Sequence, residues 1–208
     1  MSLVSPTLAD AVRRYEASRR AAGEVIAGLS EDAFHRAPSA RGWSVAQCLE
    51  HLVVTDGKMV ERLEAAIARA RAEGRLAAPV AASSPARLGW FDRLFIAGTG
   101  PGRDGRKSPP MKTSTGTAFD PGDPAARGRT RGLVLADYLA VLGRLTAAAR
   151  AADGLDLARI QVPSLLASWA KVSLAGWFLA LAGHHERHLD QARRARAAVT
   201  EAQGVGAS

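Results

Sequence analysis

The stretch "GWSVAQCLEHLVVTDGKMVERLEAAIARARAEG", residues 42–74, decides how the rest of the chain is read. Val45, Leu49, Leu52, Val53, Met59, Val60, Leu63 and Ile67 recur at spacings of three and four, the rhythm of one apolar helix face. Ser44 followed three residues later by Gln47 has the form of a capping box, with Trp43 placed to staple against Cys48 or its neighbours. The pattern predicts a helix from Val45 to about Glu73, weakened locally by Gly57. At about 1.5 Å of rise per residue such a helix forms one full edge of a bundle.

Upstream, Ser5 as cap and Pro6 in the first turn open a helix predicted to run to about Gly28, with Leu8, Val12, Tyr15, Arg19, Ala22, Val25 and Ile26 as its stripe. Gly28, Pro38 and Gly42 break it, leaving room for a single turn after Ser30. Downstream, a shorter apolar helix is predicted over Pro85 to Ile96. Residues 97–132, which include "PPMKTSTGTAFDP", show no sustained period. They form a long connecting loop in which Arg103, Arg106, Lys107, Lys112, Arg127, Arg129 and Arg131 face only Asp104, Asp120 and Asp123. Helical periodicity resumes over Leu133 to Ala152, a linker with local turns follows, and Ser173 caps a last helix from Leu174 to about Val199. No adequate strand pattern competes. The expectation is therefore all-α: a four-helix bundle with an additional short helix and a long connecting loop. Residues 1–200 read as a single domain and 201–208 as a flexible tail.

Composition narrows the class. The 208 residues are 47% hydrophobic and carry a formal charge of +8. The lone cysteine, Cys48, excludes an intrachain disulfide framework and fits a reducing cytoplasm, the expected location. No secretory leader is expected from the first residues. "VSLAGWFLALAG", residues 172–183, is too short to span a bilayer, so no membrane association is expected. The basic residues are scattered without a finger, ribbon or aromatic nucleic-acid motif, and Trp90, Trp169 and Trp177 lie on separate elements. Nucleic acid is accordingly not the expected partner.

The chemistry concentrates in "GHHERHLDQ", residues 183–191. Residues four apart on a helix share a face, so His184 and His188 can present two imidazoles to one divalent ion. His185 is turned by about 100° from His184, although it could pair with His188 at spacing three. Two ligands make a weak site, because a catalytic zinc has three protein ligands and an open position. His51, inside the second helix, would complete a three-histidine set if it faces the last helix; His35 lies in the breaker-rich connection without defined orientation. Each of these histidines also has an ordinary reading as a hydrogen-bonded polar residue. Gln191 follows His188 by three and could hold its ring, or lie on the surface. Gln47, four before His51, shares that residue's side of the helix and is a further candidate to support a ligand or line the pocket. Cys48 reads either as a small buried hydrophobe or as a fourth ligand or reactive thiol, and Trp43 either as staple or as pocket wall. Glu50 and Glu186 are turned away from their neighbouring histidines, and spacing assigns no general base among them, Asp56 and Asp190.

"GWSVAQCLEHL" taken together with "GHHERHLDQ" resembles the DinB-like, or YfiT-like, superfamily of bacterial four-helix bundles. The resemblance spans roughly residues 8–199. In that family a tryptophan–serine pair opens the second helix, here Trp43 and Ser44, and a histidine later in the same helix is the first ligand, here His51. The paired histidines of the last helix fall on His184 and His188, leaving His185 outside the triad, and the following glutamine falls on Gln191. A His-Pro-x-x-Gly segment found in many relatives is represented here only by Pro163. The resemblance implies a divalent metal such as zinc or nickel, a homodimer, and activity as a metal-dependent hydrolase or thiol-dependent transferase on a small-molecule substrate. In the first case a metal-bound water is the nucleophile; in the second a low-molecular-weight thiol takes its place. The alternative is a non-catalytic small-molecule-binding or dimeric scaffold bundle.

Overall fold

The Ser44 cap forms as the sequence requires. Ser44 Oγ accepts from the Gln47 amide at 3.1 Å, Gln47 Oε1 accepts from the Ser44 amide at 2.9 Å, and helix α3 runs unbroken through Gly57 from Val45 to Ala72. The computed structural model of this chain describes residues 3–40, 42–101, 129–165 and 169–205, the side chains of 202–205 excepted. Most of the basic loop, including Arg103, Arg106, Lys107, Lys112, Arg127 and the "PPMKTSTGTAFDP" stretch, lies outside the described residues, as do residues 206–208 of the expected tail.

The described residues form α1 (Pro6–Ile26), α2 (Glu31–His35), α3, α4 (Pro79–Ala82), α5 (Trp90–Thr99), α6 (Arg131–Ala152), the strands β1 (Gln161–Pro163) and β2 (Lys171–Ser173), and α7 (Leu174–Val205). The fold is all-α in class, but four helices plus one short one undercounts it. Among the described residues there are seven helices, five of them of ten residues or more. The missed α4 buries no residue, so it leaves no apolar stripe to read. The hairpin is equally silent in sequence, since three-residue strands cannot display an alternation. It is antiparallel, with Val162 opposite Val172, and both valines are buried beneath the start of α7. The short helix α5 starts five residues later than expected, because the Asp92 carboxylate, and not Pro85, organises its first turn by accepting from the Gly89 amide at 3.1 Å. At the other end, α7 continues past Val199 into the expected tail. On α1, Ser18 is buried in place of the expected Arg19.

Helices α1, α6, α3 and α7 close a ring in which α1 packs on α6 and α7 and α3 packs on the same two, while α5 lies outside against α7. The core is built from Leu8, Tyr15, Val25, Leu49, Leu52, Leu63, Leu142, Leu145, Phe178 and Leu189 among others. Helix α6 is long and apolar enough to cross a membrane by length and composition alone. Here its stripe of Val134, Tyr138, Val141, Leu142, Leu145 and Ala149 is buried in the ring.

Several arginines terminate helices. Arg196 donates to the carbonyls of Glu24, Val25 and Ala27 at the end of α1, Arg71 to those of Ala151 and Asp153 at the end of α6, and Arg187 to that of Gly98 in the last turn of α5. Unpaired carbonyls and the negative end of the helix dipole make these positions favourable for a cation. Part of the basic excess is therefore consumed inside the fold. At the opposite polarity, the Asp153 carboxylate accepts from the Val4 and Ser5 amides just ahead of α1.

Close packing makes two glycines behave oppositely on substitution. A methyl group on Gly57 would lie 3.9 Å from Val141 Cγ2, an ordinary contact, so Gly57→Ala is expected to raise stability by about 1 kcal/mol through helix propensity. On Gly176 the methyl would stand 2.8 Å from Val172 Cγ1 and 2.9 Å from Asp92 Oδ1, so Gly176→Ala is expected to cost about 1–3 kcal/mol. Denaturant midpoints of the two variants should move in opposite directions.

Candidate metal centre

Helices α3 and α7 pack side by side, which brings His51 of α3 against His184 and His188 of α7. Ring centroids lie 5.3 Å apart for His51 and His184, 4.6 Å for His51 and His188, and 4.7 Å for His184 and His188. One nitrogen from each ring lies within 4.8 Å of the other two. Three nitrogens each about 2.1 Å from one ion are separated by roughly 3–4 Å. Side-chain adjustments of about 1 Å therefore suffice, and the cluster is capable of coordinating a divalent metal ion.

The rings are held from behind. His184 Nδ1 lies 3.1 Å from Asp56 Oδ1 and 3.3 Å from Oδ2, and His188 Nδ1 lies 3.1 Å from Gln191 Oε1. A carboxylate and an amide oxygen only accept, so both rings carry their proton on Nδ1 and present a lone pair at Nε2. Trp43 is the wall on the outer side. It stacks on His188 at 5.6 Å between centroids and 15° between planes, and its centroid lies 5.0 Å from that of His51. Burial, with His184 and His51 adding to it, holds His188 well below the usual histidine value, so the ring stays neutral and able to donate a lone pair.

Asp56 is the residue that sequence spacing left unassigned. It is 2% exposed, and three groups surround its carboxylate: His184, the Thr55 hydroxyl at 3.0 Å, and His185 Nε2 at 3.1 Å. The His185 approach is bent away from a straight hydrogen bond. His185 itself is fully buried, and its Nδ1 lies 3.1 Å from the Tyr138 hydroxyl of α6. Burial works to raise the Asp56 carboxyl, but the two imidazoles outweigh it and hold it far below the usual carboxylate range. Among the described residues no arginine or lysine pairs with it. A buried carboxylate with no arginine or lysine beside it is costly in the core. A divalent cation among the three histidines offsets that charge, so the donor set and its electrostatics both fit a metal ion.

The remaining candidates have partners or surroundings of their own, and the titratable ones lie outside the metal-capable group. Gln47 spends its side-chain oxygen on the Ser44 cap. Cys48 is fully buried in the core, and burial pushes its thiol up to about 12, the environment of an inert hydrophobe. Glu186 is held by Arg14 of α1 through two contacts of 2.6 and 2.8 Å, and Asp190 pairs with Arg193 at 2.7 Å. Glu50 is buried, and burial raises its carboxyl, but it is not part of the metal-capable group. His35, at the end of α2, contacts the Arg129 carbonyl at 2.9 Å. Of the basic loop's described members, Arg129 pairs with Asp137, and Arg131 lies beside Glu31, which accepts from its amide at 3.0 Å. A sequence signal for Asp56 did exist: it stands in the apolar rhythm of Leu49, Leu52, Met59, Val60 and Leu63, where only a buried residue fits.

A family model described as the DinB superfamily matches residues 14–192. No curated protein and no solved structure matches the chain.

Two measurements check this environment. Cys48 is expected to resist a chromogenic thiol reagent at pH 8 in the folded protein and to react fully once unfolded. In the unfolded chain His188 gains a proton near its ordinary value of about 6.5, whereas the folded ring resists one, so stability falls as pH drops below about 6.5. In chelator-treated protein the denaturant midpoint should therefore decrease from pH 7.5 to 5.5, and His188→Asn should flatten that decrease.

Proposed function

The chain belongs to the DinB superfamily, and from that premise we propose that it is a metal-dependent enzyme whose ion is held by His51, His184 and His188, acting as a hydrolase or a thiol-dependent transferase. The observation that carries the reading is the three-histidine cluster backed by a buried carboxylate that pairs with histidines and with no arginine or lysine among the described residues. Zinc or nickel suits three imidazole donors. A divalent ion bound there supplies charge that acidifies a water or thiol and polarises a carbonyl.

The protein's own groups have separable tasks. Asp56 and Gln191 retain the Nδ1 protons of His184 and His188, which keeps the Nε2 lone pairs turned toward the cluster. Trp43 covers His188 and flanks His51, excluding water from one side and leaving an apolar wall for substrate. Because Cys48 is buried and protonated, the thiol of the transferase version comes from outside, as a low-molecular-weight thiol. Our reading further carries a single catalytic domain over residues 1–200, a cytoplasmic homodimer, a small-molecule substrate, and neither nucleic acid nor membrane as partner.

Elemental analysis of protein purified without a histidine tag is expected to give about one equivalent of zinc or nickel. Substitution of His51, His184 or His188 by alanine should each reduce it to under about a tenth while the helical circular dichroism persists. Folded wild type that holds no ion and takes up neither added zinc nor nickel would instead favour the scaffold reading. Chelator-sensitive ester or amide hydrolysis, against chelator-sensitive conjugation of a small thiol, separates the two activities.

A further inference from the structure

Behind the cluster a buried chain of polar groups crosses the bundle, with one member from each of three helices beyond His184 itself. Asp56 comes from α3, His185 from α7 and Tyr138 from α6. Tyr138 and His185 are 0% exposed and Asp56 2%, so bulk solvent does not reach them. Side-chain chemistry gives the chain a direction. A lone pair on His185 Nε2 would face a carboxylate oxygen at 3.1 Å, which is repulsive, so in the neutral ring Nε2 bears the proton. His185 Nδ1 is then an acceptor, and the Tyr138 hydroxyl donates to it across 3.1 Å. The same carboxylate receives the Nδ1 proton of His184. Two consecutive histidines thus hold opposite tautomers, each with its N–H on the Asp56 side, that of His185 bent from a straight hydrogen bond.

Tyr15 is a natural contrast. Its ring also lies edge-on to His185, at 6.0 Å between centroids, but its hydroxyl donates to the Phe178 carbonyl at 2.7 Å and is outside the chain. Deleting either hydroxyl removes the same oxygen atom from the same core, and only the Tyr138 deletion touches the ring that orients Asp56.

Resting on the three-histidine reading above, we infer that Tyr138 and His185 are positioning residues for His184. Through Asp56 they fix which ring nitrogen of His184 faces the cluster, and so set the affinity of the centre for a divalent ion. Without the Tyr138 hydroxyl, the buried His185 Nδ1 loses its donor and the ring is free to turn; once turned from Asp56, it is no longer held in one tautomer by the carboxylate. Its Nε2 proton then no longer anchors one side of the Asp56 carboxylate, and the carboxylate can rotate away from His184. Direct hydrogen-bond partners of a ligating histidine, the place Asp56 holds, typically change metal affinity by about 10–100-fold, and Tyr138, two contacts further out, is expected at the low end.

The test compares wild type, Tyr138→Phe, Tyr15→Phe and Asp56→Asn. Nitrogen-15 spectra of the ion-free protein should show protonation on Nδ1 of His184 and on Nε2 of His185 in wild type and in Tyr15→Phe, and mixed tautomers in Tyr138→Phe. Competition with a chromophoric chelator should give Zn(II) affinity weakened about tenfold in Tyr138→Phe, by up to about a hundredfold in Asp56→Asn, and unchanged within twofold in Tyr15→Phe, even where Tyr15→Phe melts at lower temperature. Equal weakening in both tyrosine variants, or wild-type tautomers and affinity in Tyr138→Phe, overturns the inference. Should Asp56→Asn fail to fold, Tyr138→Phe carries the comparison alone. Should wild type bind no Zn(II) at all, the three-histidine reading falls, and the ion-free tautomers still decide whether Tyr138 positions His184.

Discussion

The buried carboxylate of Asp56 is the constraint around which the bundle is arranged. A full negative charge away from water must be answered by hydrogen bonds or by opposite charge, and removing its partners costs about 3–5 kcal/mol. Here the answering groups are imidazoles of α7 and a hydroxyl from its own helix, with Tyr138 of α6 supporting one of the rings. The α3–α7 register is therefore specified by a polar contact as well as by apolar packing. A slide of either helix by one residue would leave the charge unpaired.

That same register makes the histidine cluster. With Asp56 locked to His184, the position of His51 one and a half turns earlier on α3 is set, and His188 follows one turn later on α7. Structure and chemistry are coupled through one residue, because the group that orders the helix pair also chooses the tautomer of a candidate ligand. Trp43 joins the two levels from the other side, as the residue ahead of the α3 cap and as the ring stacked on His188.

Charge elsewhere in the molecule follows a similar economy. Arg71, Arg187 and Arg196 satisfy carbonyls at the ends of neighbouring helices, and Arg14 and Arg144 bind Glu186 and Glu64 across helix pairs. Arginine suits this use, since its planar fork reaches two acceptors at once. The contacts outside the four-helix ring depend on Asp92 in an analogous way. Its carboxylate accepts from the amides of Gly89 and Ser173 and from the Ser173 hydroxyl, fastening α5 and the hairpin to the start of α7.

Local pattern by itself determined the long helices, the caps at Ser5 and Ser44 and the pairing of His184 with His188, because helix periodicity, serine capping and i to i+4 geometry are properties of neighbouring residues, while the Thr130 cap of α6 went unread. The Ser44–Gln47 box, the single turn after Ser30 and the span of α3 were all legible for that reason. Only the tertiary structure decided that His51 meets the pair and that Asp56, His185 and Tyr138 stand behind it, whereas the Gln191 contact with His188 is local and was open to the sequence. The tertiary contacts join residues 47 to 137 positions apart, with no periodicity linking them. The hairpin and α4 escaped for a different reason, as elements of three or four residues are shorter than any repeat that could announce them. What a polar residue in an apolar stripe means is settled by the partner it finds across the core, and that partner is chosen by packing.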